Sequence, residues 1–505
     1  MEPKLAIVYT RAQVGVRAEL VTVEVHLSSG LPGLYIVGLA ETAVKESKDR
    51  VRSAILNSRL EFPVARITVN LAPADLPKEG SRFDLAIAIG ILCASGQLPQ
   101  DQIAQIEFLG ELALSGNLRP THAVLPASVF AAESCRALVV PTENAKEAAR
   151  VKDACVLSAG NLLQVCRHLS GEQALPSQAY LEPIAQKKGL DLADVKGQAQ
   201  ARRALEIAAA GNHSLLFIGP PGTGKTMLAS RLPSILPLLN EKQALETAMI
   251  HSIAMSRDKN RSWYSPPFRR PHHTASGVAL VGGGGQPRPG EVSLAHNGVL
   301  FLDELPEFSR AVLDVLREPL EAGTVTISRA AKQCEFPAHF QLIAAMNPCP
   351  CGYYGHPNGR CHCTPESVQR YQNRVSGPLL DRIDMHVEVN NVERHLLLNR
   401  KIQPEPSSRV RQRVLECRQR QYRRANTLNA QLTPAQMERY CDIDSAISEL
   451  LEQAMEKLGL SARAYHRVLK LSRTIADLDG NENIVKSHVM EALNYRRLDR
   501  AWQRF

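Results

Sequence analysis

The pattern of hydrophobic and polar positions divides the chain into stretches of different period. Over residues 1–168, short alternating or clustered apolar runs (LAIVYT, VTVEVHL, ITVNLA) predict strands, and runs with apolar residues three and four apart (TAVKESKDRVRSAILNS, FDLAIAIGILCAS) predict helices, an α+β arrangement. A polar stretch at 169–189, containing Pro176 and Pro183, predicts a linker. At 215–218, 299–302 and 342–346 the apolar residues run together without alternating, as in strands covered on both faces, so 190–395 reads as an α/β core with a parallel sheet. From 396 to 505 the pattern turns charged and helical, as expected of a helical lid and C-terminal region. Within it SARAYHRVLKLSRTIADL predicts a helix capped by Ser461. No internal repeat or low-complexity tract interrupts this order.

The ends of the buried runs carry the chemistry. After the first comes GPPGTGKT, which satisfies G-x-x-x-x-G-K-[ST]: Gly219, Pro220, Pro221, Gly222, Thr223 and Gly224 form a tight turn whose N–H groups can face phosphates. Lys225 adds a positive charge and Thr226 a hydroxyl for magnesium. The bland alternative is a glycine turn between a strand and a helix. The second run ends in Asp303 and Glu304, where an ATPase needs one carboxylate for magnesium and one to polarise the attacking water. A solvated acidic turn is the alternative there. Asn347 ends the third run, where its amide would place water near the γ-phosphate unless it only makes a turn.

Size and composition widen this picture. A chain of 505 residues suggests roughly three domains. No apolar run approaches the roughly 20 residues that span a bilayer, and the N-terminus lacks a signal-peptide pattern, so a cytoplasmic protein without membrane contact is expected. Eleven cysteines, an odd number, suit a reducing compartment. A net charge of +9 permits a nucleic-acid partner without requiring one.

Cys349, Cys351, Cys361 and Cys363 are grouped as C-P-C and C-H-C around nine residues. They suggest a structural zinc stapling a loop, with His356 or His362 as substitute ligands; reduced free thiols and a redox pair are the alternatives. Glycines and prolines in the insertion 256–296 exclude a long helix and predict a loop or hairpin carrying Arg269, Arg270, His272, His273 and Arg288 toward a phosphate backbone, if it does not merely pack on the surface. TVTISRAAKQCEF predicts a second hairpin with Arg329 and Lys332 at its tip, another candidate DNA contact. The basic helix at 408–424 spreads its arginines around the axis rather than in a stripe, as a solvated or intersubunit face would.

PHHTASGVALVGGGGQPRPGEVSLAHNGVLFLDELPEF, DVKGQAQARRALEIAAAGNHSLLFIGPPGTGKT and NPCPCG together resemble the magnesium-chelatase-like AAA+ family over essentially the whole chain. The resemblance implies an AAA+ P-loop core with Asn347 as sensor 1, Arg382 as an arginine finger reaching a neighbouring subunit, and Arg463 as sensor 2, with Arg467 competing. For Arg382 the alternative is a salt bridge to Asp381 or Asp384. It further implies a homo-hexamer that uses ATP and Mg2+ to act on single-stranded and branched DNA. That action would be branch-migration helicase activity during recombination of transforming DNA in competence, alongside recombination proteins. The N-terminal domain resembles the Lon-protease-like fold, but the places of nucleophile and lysine fall on Arg82 and Leu125. With Ser81 merely adjacent and no lysine between Lys78 and Lys146, the catalytic dyad is missing. Besides a DNA motor, a chelatase-type subunit remodelling a protein partner and an adaptor whose ATPase drives assembly stay open.

Overall fold

The computed structural model describes residues 5–38, 44, 46–180, 189–254, 262–284, 287–329, 332–355, 359–392, 404–459 and 461–496. The chain forms two compact units, one of Met1–Ile184 with Leu245–Trp263, the other of Ala185–Ala244 with Tyr264–Phe505.

The first unit is built on a seven-stranded mixed sheet. Its order is Gly33–Val37, Arg66–Ala72, Arg17–Ser28, Leu5–Val14, Ile106–Phe108, Ala137–Pro141 and Val156–Ala159. Leu5–Val14 and Arg17–Ser28 pair antiparallel from Leu5 opposite His26 to Val14 opposite Arg17. Their alternation puts Val21, Val23 and Val25 into the core. The helix Asp84–Ala94 is buried along its whole length, so its apolar surface has no polar face to show solvent. Its Asp84 is held by Arg50 at 2.7 Å and by the Ser47 hydroxyl. Burial raises the Asp84 pKa while the Arg50 pair opposes the rise.

The stretch expected to be a linker is, up to Tyr180, part of this unit. Leu175 is buried in its core, the Gln178 N–H donates to the Val156 carbonyl at 2.9 Å, and Ser177 bridges Leu157. An edge strand offering unpaired backbone groups captured a polar segment that composition alone marks as loop.

The second unit carries a five-stranded parallel sheet in the order Phe268–Arg269, Val299–Leu302, Gln341–Met346, Leu215–Ile218, Met385–Glu388. The three long apolar runs are its middle strands, and every residue in them is buried. C-terminal to the sheet, the helices Ser407–Ala425, Pro434–Tyr440, Ser445–Leu458, Ala462–Asp479 and Lys486–Asn494 follow. Ser461 caps the fourth of these by accepting from the Ala464 N–H at 3.2 Å.

The basic helix Ser407–Ala425 is not a mainly solvated face. Val410, Val414 and Cys417 are buried in the unit's core, and most of its arginines are spent on this chain. Arg411 donates to the Ser234 carbonyl at 2.9 Å and Arg418 to the Ala209 carbonyl at 2.6 and 2.9 Å. Arg413 pairs with Glu206 and Glu405, and Arg424 with Asp477. Ser234 and Ala209 end the helices Lys225–Ile235 and Ala199–Gly211. Guanidinium groups there satisfy unpaired carbonyls and complement the helix dipole, each contributing about 1 kcal/mol.

Candidate active site

The phosphate loop leaves the strand Leu215–Ile218 and enters the helix Lys225–Ile235. Gly219 is required by packing, since a β-carbon there would lie 2.2 Å from the Val389 carbonyl oxygen on the next strand's continuation. Lys225 begins the helix and folds back over the loop, donating to the carbonyls of Gly219 at 2.6 Å and Pro220 at 2.8 Å and to Asn347 Oδ1 at 3.0 Å. Burial lowers its pKa to about 8, against the opposing charges of Asp303 and Glu304. A cation held by neutral carbonyls and one amide is poised for an incoming anion, because no carboxylate must first be displaced from it. The Thr223 hydroxyl donates to the Pro220 carbonyl at 2.9 Å and fixes the turn.

Asp303 and Glu304 follow the buried strand Val299–Leu302, which is separated from Leu215–Ile218 by the strand Gln341–Met346. The Thr226 hydroxyl donates to Asp303 Oδ2 at 2.8 Å, so the two hard oxygen donors that magnesium takes already meet. Glu304 sits in the left-handed region at φ 55, ψ 49, an unusual place for a residue other than glycine, costing on the order of 1 kcal/mol. Its side chain stays 56% exposed while that of Asp303 is only 19% exposed. The backbone turn thus separates a shielded carboxylate paired with Thr226 from one that is exposed to solvent.

The structure places Arg270 and His273 at these carboxylates. Arg270 donates to Asp303 Oδ2 at 2.7 Å, with its guanidinium 5.6 Å from the Phe301 ring centroid. His273 Nδ1 lies 3.3 Å from Glu304 Oε2 and its ring packs edge-on against Phe308. Sequence reasoning assigned Arg270 to a loop gripping DNA and gave His273 no part in the nucleotide site. The missing step was sheet register: Phe268 and Arg269 pair parallel with Val299 and Leu300. The segment after Arg269 therefore emerges beside the segment after Leu302. Arg269 itself is engaged by Glu291 through two contacts of 2.7 Å.

Of the other basic candidates, Arg288 is exposed on the second strand of a two-residue ladder with Gly282–Gly283, next to the short helix Gly277–Val281. Arg329 and Lys332 face each other across the end of a second hairpin, Thr324–Arg329 with Lys332–Pro337. Their side chains lie outside the described residues. Arg382 pairs with Glu321 at 2.5 Å rather than with Asp381 or Asp384, and also donates to the Pro378 carbonyl.

Arg463 is exposed in the first turn of its helix, whereas Arg467 is committed to Asp384 and to the Arg382 carbonyl. Burial alone would raise the Asp384 pKa, but Arg467, His213 and the Ser214 amide hold it well below the usual carboxylate range. The four sulfur atoms of Cys349, Cys351, Cys361 and Cys363 lie within 4.8 Å of one another. His362 is exposed, and His356 lies outside the described residues. In the first unit, Arg82 is buried with Nη2 donating to the His122 carbonyl at 2.5 Å, and Leu125 is buried in the helix Val124–Glu133. Neither is a nucleophile or a base.

A phosphate loop, a Thr–Asp pair and an exposed glutamate at the C-terminal edge of a parallel sheet define a P-loop nucleoside triphosphatase. The family description "Magnesium chelatase, subunit ChlI" matches residues 191–397, "Subunit ChlI of Mg-chelatase" residues 23–144, and "Magnesium chelatase, subunit ChlI C-terminal" residues 404–496. The chain is 52% identical to Competence protein ComM of Haemophilus influenzae over 505 residues, covering 99% of each. It is 49% identical to the uncharacterized protein YifB of Escherichia coli over 98% of each. The chain belongs to this magnesium-chelatase-like family of AAA+ proteins. Lon protease 2 of Bacillus subtilis matches 34% of the chain at 28% identity, over 35% of its own length. No described helix is long and apolar enough to cross a membrane.

Proposed function

We propose that the chain is an ATP-driven motor on single-stranded and branched DNA, a branch-migration helicase working as a homo-hexamer in the cytoplasm during recombination of transforming DNA. The observation that supports this reading most is the convergence of Lys225, the Thr226–Asp303 pair, Glu304 and Asn347 in a chain so similar to a competence protein. Thr226 and Asp303 hold magnesium, which supplies charge neutralisation at the phosphates. Lys225 binds the β- and γ-phosphates, Glu304 takes the proton of the attacking water, and Asn347 orients that water. Arg463 reaches the same nucleotide from the C-terminal helices, which act as a lid. Arg382, released from Glu321, stabilises charge on a neighbour's γ-phosphate. Arg329, Lys332 and Arg288 contact the DNA backbone, with Arg269 and Arg270 joining when they leave Glu291 and Asp303. The four cysteines hold a structural zinc, and the Lon-like N-terminal unit serves as a binding or ring-supporting module.

ATP turnover measured with and without single-stranded DNA and a four-way junction tests the motor. Stimulation by DNA and movement of the branch point are expected; turnover indifferent to every DNA would leave a chelatase-type subunit remodelling a protein. Mixing Arg382→Ala with Lys225→Ala chains tests the ring, because a site shared between subunits pairs one chain's intact loop with another's intact finger. Activity returns in mixed hexamers if the finger acts in trans. Mixed rings that form but stay inactive at every ratio remove that assignment.

A further inference from the structure

The cysteine cluster has the dimensions of a metal site. Sulfur separations are 3.3 Å for Cys349–Cys351, 3.8 Å for Cys349–Cys361 and 3.6 Å for Cys351–Cys361. A tetrahedral thiolate site with zinc–sulfur bonds of about 2.3 Å has sulfur edges of about 3.8 Å. All four cysteines are free of disulfides. The Tyr354 N–H already donates to Cys349 Sγ at 3.3 Å, as sulfur ligands require of their surroundings.

Where this cluster sits matters more than that it exists. Cys349 lies two residues beyond Asn347, whose amide oxygen accepts from Lys225. Gly352, at φ +85, faces the phosphate loop so closely that a β-carbon there would lie 2.6 Å from Pro221 Cδ and 3.8 Å from Asn347 Cγ. On its other flank the knuckle is tied to the helix Pro365–Gln372, since Gln372 Nε2 donates to the Pro348 carbonyl at 2.9 Å. The described residues from Cys349 to Thr364 carry no helix or strand of their own. Beyond a few hydrogen bonds, such as the Gly352 N–H to the Cys349 carbonyl at 2.9 Å, a metal cross-link would be the element that joins the two cysteine pairs.

We propose that zinc bound by Cys349, Cys351, Cys361 and Cys363 clamps the phosphate loop and Asn347 in their binding geometry, which makes the knuckle a positioning element of the ATPase site rather than a remote staple. The proposal rests on the zinc reading above. The metal holds the C-P-C turn closed, the closed turn presses Gly352 on Pro221, and the loop carbonyls keep Lys225 beside Asn347. Loss of zinc frees the turn and with it the wall behind the phosphates.

The test uses the full chain, with zinc content by mass spectrometry, affinity for a fluorescent ATP analogue, ATP turnover and circular dichroism. The wild type should carry one zinc per chain. Cys361→Ser/Cys363→Ser should lose the metal, keep its secondary structure, and bind the analogue at least about tenfold more weakly, the size of effect seen when groups around a site are loosened. Gly352→Ala changes no cysteine, but at φ +85 and with its β-carbon 2.6 Å from Pro221 Cδ it strains the turn beside Cys351, so it should weaken the analogue by a similar factor, with its zinc content measured alongside. If the double variant fails to fold, wild-type chain stripped of zinc by a chelator and reloaded with zinc sulfate decides the matter: affinity for the analogue should fall on stripping and return on reloading. Unchanged affinity and turnover in Gly352→Ala, or in zinc-free protein, overturn the clamp while leaving the zinc site standing. Absence of zinc from the wild type, with none taken up from zinc sulfate alone, overturns the zinc site itself.

Discussion

Lys225 and Arg82 are both buried cations, one in each unit, and they differ in what surrounds them. Lys225 has carbonyls and an amide as partners, an adjacent hydroxyl–carboxylate pair, and a strand end opening onto the sheet edge. Arg82 has the single carbonyl of His122, while its Nη1 is buried without a hydrogen-bond partner among the described residues and burial lowers its pKa to about 10. Beside it, Ser81 is occupied by Glu111. One cation is held by neutral carbonyls and an amide beside a hydroxyl–carboxylate pair; the other is held by a single carbonyl with no carboxylate hydrogen-bonded to it among the described residues. Burial and a lowered pKa alone therefore do not mark a functional site, since structural groups show them too.

The largest expected effect falls on the exposed carboxylate. Glu304→Gln should lower ATP turnover about 10²- to 10⁴-fold, the usual contribution of a general base, while binding of ATP and magnesium persists through Lys225 and Asp303. Turnover near wild type would move the base elsewhere. Lys225→Ala should instead weaken nucleotide binding by about 2–5 kcal/mol, the cost of removing one partner of a buried charge pair. Equilibrium binding of labelled ATP separates the two variants.

A smaller effect comes from pH. With the free-site pKa of Lys225 lowered to about 8, ATP affinity should be flat below that value and fall above it by up to about tenfold per unit, as the lysine must regain its proton to bind phosphate. Stability of the free protein runs the other way. The unfolded chain keeps this proton up to the ordinary 10.5, so unfolding becomes harder as pH rises from about 8 toward 10.5. Affinity that is level across this window would mean that the lysine stays charged despite its burial.

The smallest effect is expected at the other cation. Arg82→Met removes a poorly satisfied buried charge for an apolar side chain, so the melting temperature should stay within a few degrees or rise. A fall of more than about 10 °C would show that Arg82 is as well held as Lys225.

What the sequence alone discloses depends on the range of the interaction. The buried strands, the Ser461 cap and the phosphate loop are local, because each is written in consecutive residues whose period or motif suffices. The contacts of Arg270 and His273 with the acidic pair required the register between Phe268–Arg269 and Val299–Leu302, which no local pattern encodes. The arginines of Ser407–Ala425 were misjudged for a related reason. Their spacing argues against one stripe, but a helix that packs a single apolar stripe on its neighbours can still engage the arginines flanking that stripe, each meeting a different carbonyl or carboxylate. The expected linker differs from the structure only up to Tyr180, where an edge strand accepts an extended segment; residues 181–188 lie outside the described residues.

The helix Glu241–Ile253 starts in the second unit, yet Leu245–Trp263 is grouped with the first, where Ser252 donates to Glu147 at 2.5 Å and Trp263 lies under Arg150. The chain therefore passes from one unit to the other three times, and a single scission near residue 184 leaves two covalent tethers intact. A truncated chain beginning there would carry a strip of the first unit stripped of its partners, with Trp263 bared to solvent. Poor solubility of such an ATPase fragment is then a property of where it was cut, and recovery on deleting 245–263 together with the N-terminal residues would show it.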